Sequence, residues 1–222
     1  MYPEAKIKFD DQHFLLSGFS QDDHIFNHWK KSGCFYEEAL LKVAASLGLS
    51  GCYIDAGANV GNHTVFFSEF CQCDEIISVE ASTQIYEILR LNCKDNVSAP
   101  CVTVNMCLYS ERNLLAESTE IKPQNCGDTV FTVGNTGVVR TTTIDSLAQG
   151  RDVSLMKLDI QGGELEALKG SVETLRRCKP ALFIETTTNE EYREVEDYLE
   201  KFGYVRKSAS LAASPTFLWL SK

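Results

Sequence analysis

The chain has 222 residues, of which 44% are hydrophobic and 23% are charged, a balance typical of one soluble globular domain. Its formal net charge is −10 and no cluster of Lys and Arg interrupts the acidic background, so nucleic acid and anionic membranes are not expected as partners. The nine cysteines are odd in number and scattered through apolar stretches, which predicts free thiols in a reducing, cytoplasmic compartment.

Two further classes of feature are not expected. The first residues show no basic region followed by an apolar run, and no stretch approaches the ~20 apolar residues of a membrane helix. The one close pair of cysteines, Cys71-Gln-Cys73, lacks the further ligands of a tetrahedral zinc site. We therefore expect neither a membrane segment nor a bound metal.

The first predicted elements lie before residue 50. Residues 1–32 are polar and aromatic without a sustained period, which predicts a surface-lying lead-in or cap to a main domain at 33–222. Leu40, Val43, Ala44 and Leu47 then recur at helical spacing before Gly48, a stop signal. A helix is therefore expected to precede the first strand of the main domain.

The next segment predicts strand, glycine turn and helix. Residues 52–56 are apolar and β-prone and lead into the turn 57–61, after which Val65, Phe66 and Phe70 form a helical stripe. A second buried strand is expected at 75–80, followed by a helix with Ser82 as its N-cap.

The remaining pattern alternates strands with helices. Residues 109–143 lose helical period and are rich in Thr, Asn and Gly, which predicts a β-rich, hairpin-like insertion. The other predicted elements are strands at 102–108, 153–159 and 181–185, helices at 165–175 and 192–202, and an antiparallel pair at 204–207 and 216–220. Such alternation predicts an α/β, Rossmann-like fold, with a mostly parallel central sheet, helices on both faces and a C-terminal antiparallel hairpin.

The glycine turn is the strongest chemical signal. In Asp55-Ala-Gly-Ala-Asn-Val-Gly61 the glycines let a ligand approach the backbone where a strand becomes a helix, and Glu80 ends the neighbouring strand, where an acid binds ribose hydroxyls. A dinucleotide fingerprint would have a glycine at the position of Asn59. The spacing therefore disfavours a pyrophosphate and favours a nucleoside that carries an amino acid, whose ammonium can meet Asp55.

These segments resemble the class I methyltransferases and, within them, the FkbM family. Tyr53-Ile-Asp-Ala-Gly-Ala-Asn-Val-Gly-Asn-His-Thr64 is similar to the first motif, Ser78-Val-Glu80 to the second and Thr142-Thr-Ile-Asp-Ser-Leu147 to a pre-strand element. Residues 156–170, Met-Lys-Leu-Asp-Ile-Gln-Gly-Gly-Glu-Leu-Glu-Ala-Leu-Lys-Gly, resemble the family's signature. The resemblance, which spans 35–185, implies S-adenosylmethionine as cofactor and O-methylation of a hydroxyl on a sugar, glycan or small metabolite.

Site residues follow from the motifs and from their positions in the expected fold. Asp159, at the end of the fourth strand, is the candidate base or substrate orienter and also a cofactor contact. His63 is a second candidate base or, alternatively, pins the start of its helix. The expected cofactor-binding residues are Glu37, Asp55, Gly57, Ala58, Asn59, Gly61, Asn62, Glu80, Ala81, Asn105, Met106 and Asp159.

Glu185 is expected to line the acceptor site, whereas Glu164 is expected to cap its helix or interact with the helix dipole. The expected partner is a small-molecule or carbohydrate acceptor, and a homo-oligomer is possible. Many members of the family carry an acid at the position of Gln161, so any scheme with two carboxylates at that strand end is weakened.

Alternative functions remain open at this point. A nicotinamide-dependent oxidoreductase is disfavoured by the missing central glycine, and a non-catalytic nucleoside-binding module is suggested by Gln161. An RNA methyltransferase is disfavoured by the acidic charge and by the absence of interleaved basic and aromatic residues.

Overall fold

A computed structural model of the chain describes residues 2–212 and 214–222. Its strands are β1 (Glu4–Phe9), β2 (Gln12–Ser17), β3 (Gly51–Ala56), β4 (Cys73–Val79), β5 (Cys101–Val104), β6 (Cys107–Leu108), β7 (Leu115–Ser118), β8 (Phe131–Gly134), β9 (Val139–Thr142), β10 (Val153–Leu158), β11 (Ala181–Glu185), β12 (Tyr204–Arg206) and β13 (Thr216–Ser221). Its α-helices are α1 (His24–Ser32), α2 (Glu38–Ser46), α3 (Asn62–Phe70), α4 (Thr83–Asn96), α5 (Ile144–Leu147), α6 (Glu164–Lys169), α7 (Val172–Arg177) and α8 (Asn189–Glu200).

A seven-stranded sheet in the order β12-β13-β11-β10-β3-β4-β5 forms the centre of the molecule. The five strands from β11 to β5 run parallel, and β13 pairs antiparallel with both β11 and β12. The predicted α/β fold, with its mostly parallel sheet and its C-terminal antiparallel hairpin, is confirmed. The order reverses between β10 and β3, and such a switch point opens a crevice at the carboxyl ends of the strands.

Helices cover both faces of the sheet because its strands carry apolar side chains on both sides. In β3, Tyr53 packs in one core with α2, α3 and α4, while its neighbour Ile54 packs in a second core with α6, α7 and α8. Leu155 and Met156 of β10 divide in the same way. Successive side chains of a strand point to opposite faces, so continuous apolar strands of this kind require two covering layers.

The segment predicted as a surface-lying lead-in or cap contributes to the hydrophobic core. From residue 2 onward it forms the antiparallel hairpin β1–β2 and the helix α1, and Ile7, Leu16 and Trp29 are buried in the first core. The short hairpin strands alternate buried and exposed residues, a period that the polar composition of the segment hides.

The predicted third strand, 102–108, is split between two sheets. β5 ends at Val104, and Cys107 and Leu108 form β6, which pairs in parallel with β9 in a four-stranded sheet of order β6-β9-β7-β8. The turn between them is fixed by Asn105, whose side-chain amide donates to the carbonyls of Glu80 and Ala81, at 2.9 Å each. The segment 109–143 is β-rich as expected, but it completes a sheet and is more than a hairpin.

The predicted helix over 165–175 is also divided, into α6 and α7. The break lies at Gly170, where a Cβ atom would come within 2.3 Å of the carbonyl oxygen of Tyr109. The expected N-cap of α4 is present, since the Ser82 side chain accepts the backbone N–H of Ile85.

Within residues 2–212 and 214–222, no helix is long and apolar enough to cross a membrane. All nine cysteines lie in this part of the chain, and each is a free thiol.

The hairpin offers a matched test of its part in the core. Leu16 is fully buried, whereas 46% of its neighbour Leu15 is exposed. We expect Leu16→Ala to lower the free energy of unfolding by about 2–5 kcal/mol through the cavity it leaves. We expect Leu15→Ala to change it by less than about 0.5 kcal/mol. Urea unfolding of both variants measures the difference. If Leu16→Ala lowers the free energy of unfolding as little as Leu15→Ala does, the hairpin is not part of the cooperative unit.

Candidate active site

A cavity of about 340 Å³ lies at the carboxyl ends of β10, β3, β4 and β5. Of the residues predicted for the site, those that line it are Glu37, Gly57, Ala58, Asn59, Asn62, His63, Glu80, Ala81, Met106, Asp159 and Glu185. Asp55, Gly61 and Asn105 do not line it. A volume of this size falls in the range of small-molecule sites.

The glycine turn after β3 forms the floor of the cavity. Gly57 has a φ of +74°, and a Cβ atom there would meet the carbonyl oxygen of Asp159 at 1.8 Å. Gly61 has a φ of +93° and forms the N-cap of α3. Only glycine allows this conformation and close approach without strain, so the turn keeps the backbone next to the cavity.

Glu80 stands at the end of β4 and is buried. One of its carboxylate oxygens accepts the backbone N–H of Asn59 at 3.0 Å, and the other accepts that of Ser82 at 2.7 Å. Burial raises the pKa of Glu80 to about 7, although these two hydrogen bonds oppose the shift. Each oxygen keeps a lone pair for a hydroxyl donor in the cavity.

Lys157 brings a cation into the middle of the sheet. Its ammonium is buried and lies 3.0 Å from Asp159 Oδ2 and 3.8 Å from Asp55 Oδ1. Burial alone would lower the pKa of Lys157, but the charges of Asp159, Asp55 and Glu37 outweigh it and raise that pKa.

Asp55 is fully buried behind the cavity wall. Its Oδ2 accepts the hydroxyl of Thr64 at 2.6 Å, and that hydroxyl lies 2.9 Å from Ser78 Oγ. Asp55 therefore holds Lys157 and Thr64, whereas direct contact with the ammonium of a ligand was expected.

Asp159 and Glu185 meet at the ends of β10 and β11. The side-chain amide of Gln161 joins them, because it donates to Asp159 Oδ1 at 3.2 Å and to Glu185 Oε2 at 2.9 Å. Burial and the charge of Asp159 raise the pKa of Glu185 to about 8. Burial opposes ionisation of Asp159 as well, but Lys157 prevails and lowers the pKa of Asp159.

Glu37 and His63 form a second pair on the cavity wall. His63 Nε2 lies 3.1 Å from Glu37 Oε2, and only 8% of each side chain is exposed. Glu37 has a φ of 58°, a left-handed conformation that is uncommon outside glycine. Backbone strain of this kind often accompanies a functional position.

Two predicted cofactor contacts have structural partners. The side-chain oxygen of Asn62 accepts the indole N–H of Trp29 at 3.0 Å and the backbone N–H of Tyr36 at 2.9 Å. Asn105 holds the loop after β4, away from the cavity lining. Glu164 lies in the first turn of α6, as expected for a partner of the helix dipole, and it accepts the backbone N–H of Ile160 in the preceding loop at 2.8 Å.

Three further parts of the lining were not predicted as site residues: Lys157, Tyr36, and the insertion residues 125–129, 131 and 133. Lys157 had a usable signal, because a lysine inside a continuous apolar strand must be paired when buried. Tyr36 carried no such signal, and the insertion lines the cavity through long-range packing that no local pattern encodes. Burial and the charge of Glu37 raise the pKa of Tyr36 to about 12.

Comparison with protein families shows which family the chain belongs to. The model described as the methyltransferase FkbM domain matches residues 55–206, about two thirds of the chain. The chain belongs to the FkbM methyltransferase family. It is therefore a methyltransferase by family, and the family's cofactor, S-adenosylmethionine, is its cofactor. This assignment replaces the alternative of a nicotinamide-dependent oxidoreductase.

Solved structures show the same fold. A methyltransferase FkbM from Methylobacillus flagellatus matches 78% of this chain with a TM-score of 0.56 and 16% identity. This chain spans 44% of the length of that protein. A Pyrococcus horikoshii protein described as a candidate RNA methyltransferase matches with a TM-score of 0.51 and 13% identity, over 83% of each chain. A search of curated protein sequences finds no match.

The residues of the cavity fit S-adenosylmethionine. Glu80 offers carboxylate oxygens to ribose hydroxyls, and Gly57 lets the turn lie directly against the backbone of Asp159 at the edge of the cavity. Glu37 and Asp159 supply negative charge for an ammonium and a sulfonium group.

The buried cation predicts a pH-dependent stability defect. Lys157→Met leaves the buried Asp55 and the partly buried Asp159 without their cation, so we expect a loss of about 3–5 kcal/mol in the free energy of unfolding near neutral pH. In the wild type, the lowered pKa of Asp159 stabilises the fold above the unfolded pKa of about 3.9, and this contribution is lost as the pH falls. Without the cation, the carboxylates of the variant take up protons at a higher pH than those of the wild type. The difference in unfolding free energy between variant and wild type should therefore become smaller toward about pH 5.

Urea unfolding at about pH 5 and about pH 7.5 measures this change. Lys169→Met removes a half-exposed lysine paired with Glu166 and should cost less than about 1 kcal/mol at both values. A deficit of Lys157→Met that does not vary with pH would contradict the pairing.

Glu80 gives a second prediction, on cofactor binding. We expect Glu80→Gln to weaken binding of S-adenosylhomocysteine by about tenfold or more, since hydrogen bonds to a charged carboxylate are lost. Because the pKa of Glu80 is about 7, its carboxylate is only partly ionised at pH 6, and wild-type affinity should rise between about pH 6 and pH 8.

Isothermal titration of both proteins across this range isolates the contribution of Glu80, because the amino group of the ligand titrates equally in each. Glu87→Gln, on the exposed face of α4, is the matched control. If the wild type and Glu80→Gln show the same pH dependence, Glu80 does not bind the ribose.

Proposed function

We propose that the chain transfers a methyl group from S-adenosylmethionine to a hydroxyl oxygen of a sugar, a glycan or another small metabolite. The observation that carries this proposal is the hydrogen-bonding wall formed by Asp159, Gln161 and Glu185. These groups lie at the ends of β10 and β11, beyond Gly57 as seen from Glu80.

The chemistry of this wall suits a hydroxylated acceptor. Carboxylate oxygens accept hydrogen bonds from hydroxyl groups, and the amide of Gln161 can accept through its own oxygen. The cavity lining described for this chain contains one Lys or Arg, Lys157, and its charge is already paired with Asp55 and Asp159. An acceptor held by its phosphates, as a nucleic acid is, would find no free cation there.

The bound cofactor supplies an electrophilic methyl group on a positively charged sulfur. Methylation of an alcohol then requires an oriented hydroxyl group and an acceptor for its proton. Asp159 suits the orienting role, because Lys157 lowers its pKa and makes it a weak base that still accepts a hydrogen bond.

His63 suits the role of base. His63 lines the cavity beside Glu37, and a neutral imidazole can accept the proton of the acceptor hydroxyl during methyl transfer. The charge of Glu37 then stabilises the imidazolium, as a carboxylate does in other acid–base pairs of this kind. His63 and Asp159 both line the cavity, which supports giving them complementary roles in one reaction.

The proposal extends to location. The chain is expected to act in the cytoplasm, and the nine unpaired thiols support a reducing compartment.

A panel of acceptors with labelled S-adenosylmethionine tests the reaction. We expect turnover with polyhydroxylated small molecules and, in the purified product, a methyl group on oxygen by NMR. A methyl group found on nitrogen or carbon would replace the proposal, and binding of the cofactor without turnover on any acceptor would favour the non-catalytic module.

The two proposed roles predict different kinetic defects. His63→Ala should lower kcat by about 10²- to 10⁴-fold with little effect on binding of S-adenosylhomocysteine, because it removes the proton acceptor. Asp159→Asn should raise the KM for the acceptor more than His63→Ala does, because an amide orients a hydroxyl less well than a carboxylate. His13→Ala, on the exposed side of the hairpin, is the control. A His63→Ala variant with wild-type kcat would remove His63 from the mechanism.

A further inference from the structure

The order of the strands places the parts of the cofactor along the cavity. Asp159, Gly57, Glu80 and Met106 follow the ends of β10, β3, β4 and β5, in that spatial order. With the ribose at Glu80 and the methyl group toward Asp159, the adenine extends to the side of β5. The residues on that side therefore decide how the base is held.

The insertion contributes one wall of this end. Along β8, Phe131 and Val133 are half-buried and alternate with the exposed Thr132 and Gly134, so Phe131 and Val133 share one face of the strand. Both line the cavity.

This face continues into the residues that end β4 and begin β6. Phe131 and Val133 pack with Ala81 in one apolar cluster built on Cys107, Ala116 and Val139. Ala81 and Cys107 line the cavity as well. The β5 end of the cavity is therefore apolar on both sides, in contrast to the carboxylate-rich end at Asp159.

The insertion is fixed in this place by contacts with the glycine turn. At Gly127 a Cβ atom would come within 2.8 Å of Asn59 Nδ2, and the thiol of Cys126 donates to Asn59 Oδ1 at 3.4 Å. On its other side, Asp23 Oδ2 accepts the backbone N–H of Cys126 at 3.2 Å. The segment thus roofs the cavity beside Glu80, and β8 follows directly from it.

We propose that Phe131 stacks on the adenine ring of S-adenosylmethionine, with Ala81 and Val133 completing an apolar slot for the base. A purine has a large, flat face that an aromatic ring covers well, and base–aromatic stacking contributes strongly to binding. The inference rests on the cofactor assignment and does not depend on the acceptor.

The proposal gives the insertion a role in binding the cofactor. Insertions of this kind are natural places for acceptor specificity, yet the β8 face covers the nucleoside end. The acceptor end is instead bounded by Thr187 and Ser214, near Glu185. Changes in β8 should therefore alter the affinity for the cofactor and leave the choice of acceptor unchanged.

Isothermal titration with S-adenosylhomocysteine and with adenosine tests the stacking. We expect Phe131→Ala to weaken both ligands by a similar factor of about 5- to 100-fold, because both carry the base. Phe131→Leu keeps an apolar cover without the aromatic face and should show most of that loss. Val138→Ala, 92% exposed on the same insertion, is the matched control and should bind like the wild type.

A measurement on the unaltered protein makes the test independent of any folding defect in the variants. With labelled phenylalanine, intermolecular NOEs should join the adenine H2 or H8 proton to the ring protons of Phe131 in the complex with S-adenosylhomocysteine. Absence of these NOEs would overturn the proposal, as would wild-type affinity of both Phe131 variants or a loss confined to S-adenosylhomocysteine. Failure of the wild type to bind either ligand would refute the cofactor assignment as well.

Discussion

The charge balance around one buried ammonium group organises the functional end of the sheet. Acidic side chains from three neighbouring strands, Asp55, Asp159 and Glu185, converge where β3, β10 and β11 end, and Lys157 is the single cation among them. A buried charge is costly unless it is paired, so the positions of these carboxylates are mutually dependent. Asp55 is held through Lys157 and Thr64, and Asp159 through Lys157 and Gln161.

The same balance explains the residue at which this chain departs from the pattern of many relatives. An acid at position 161 would set a third carboxylate between Asp159 and Glu185, with no second cation in the described cavity wall to offset it. The amide instead donates a hydrogen bond to each neighbour. Gln161 therefore joins the side chains of Asp159 and Glu185 through hydrogen bonds, and the departure is consistent with an intact site.

The sequence pattern predicted those parts of the structure that are determined by residues close together in the chain. The glycine turn, Glu80 and the parallel strands were predictable because each has a short-range signature of spacing or period. Trp29 and Phe131 were not, because their burial depends on contacts with Asn62 and with the ends of β4 and β6, far away in the chain. Asn62 lines the cavity and Asn105 does not, and which atoms their amides would meet could not be predicted from sequence.

The first 50 residues have a consequence for how the domain is delimited. The match to the FkbM domain begins at residue 55, yet Leu16, Trp29 and Phe35 are fully buried in the same core as Tyr53 and Phe66. The hydrogen bond between Asp23 and Cys126 also ties this early segment to the roof of the cavity. The unit that folds is thus larger than the unit that sequence comparison recognises. A domain trimmed at residue 55 would expose the apolar face of Phe66 and Phe70 that Phe9 and Phe14 cover in the intact protein.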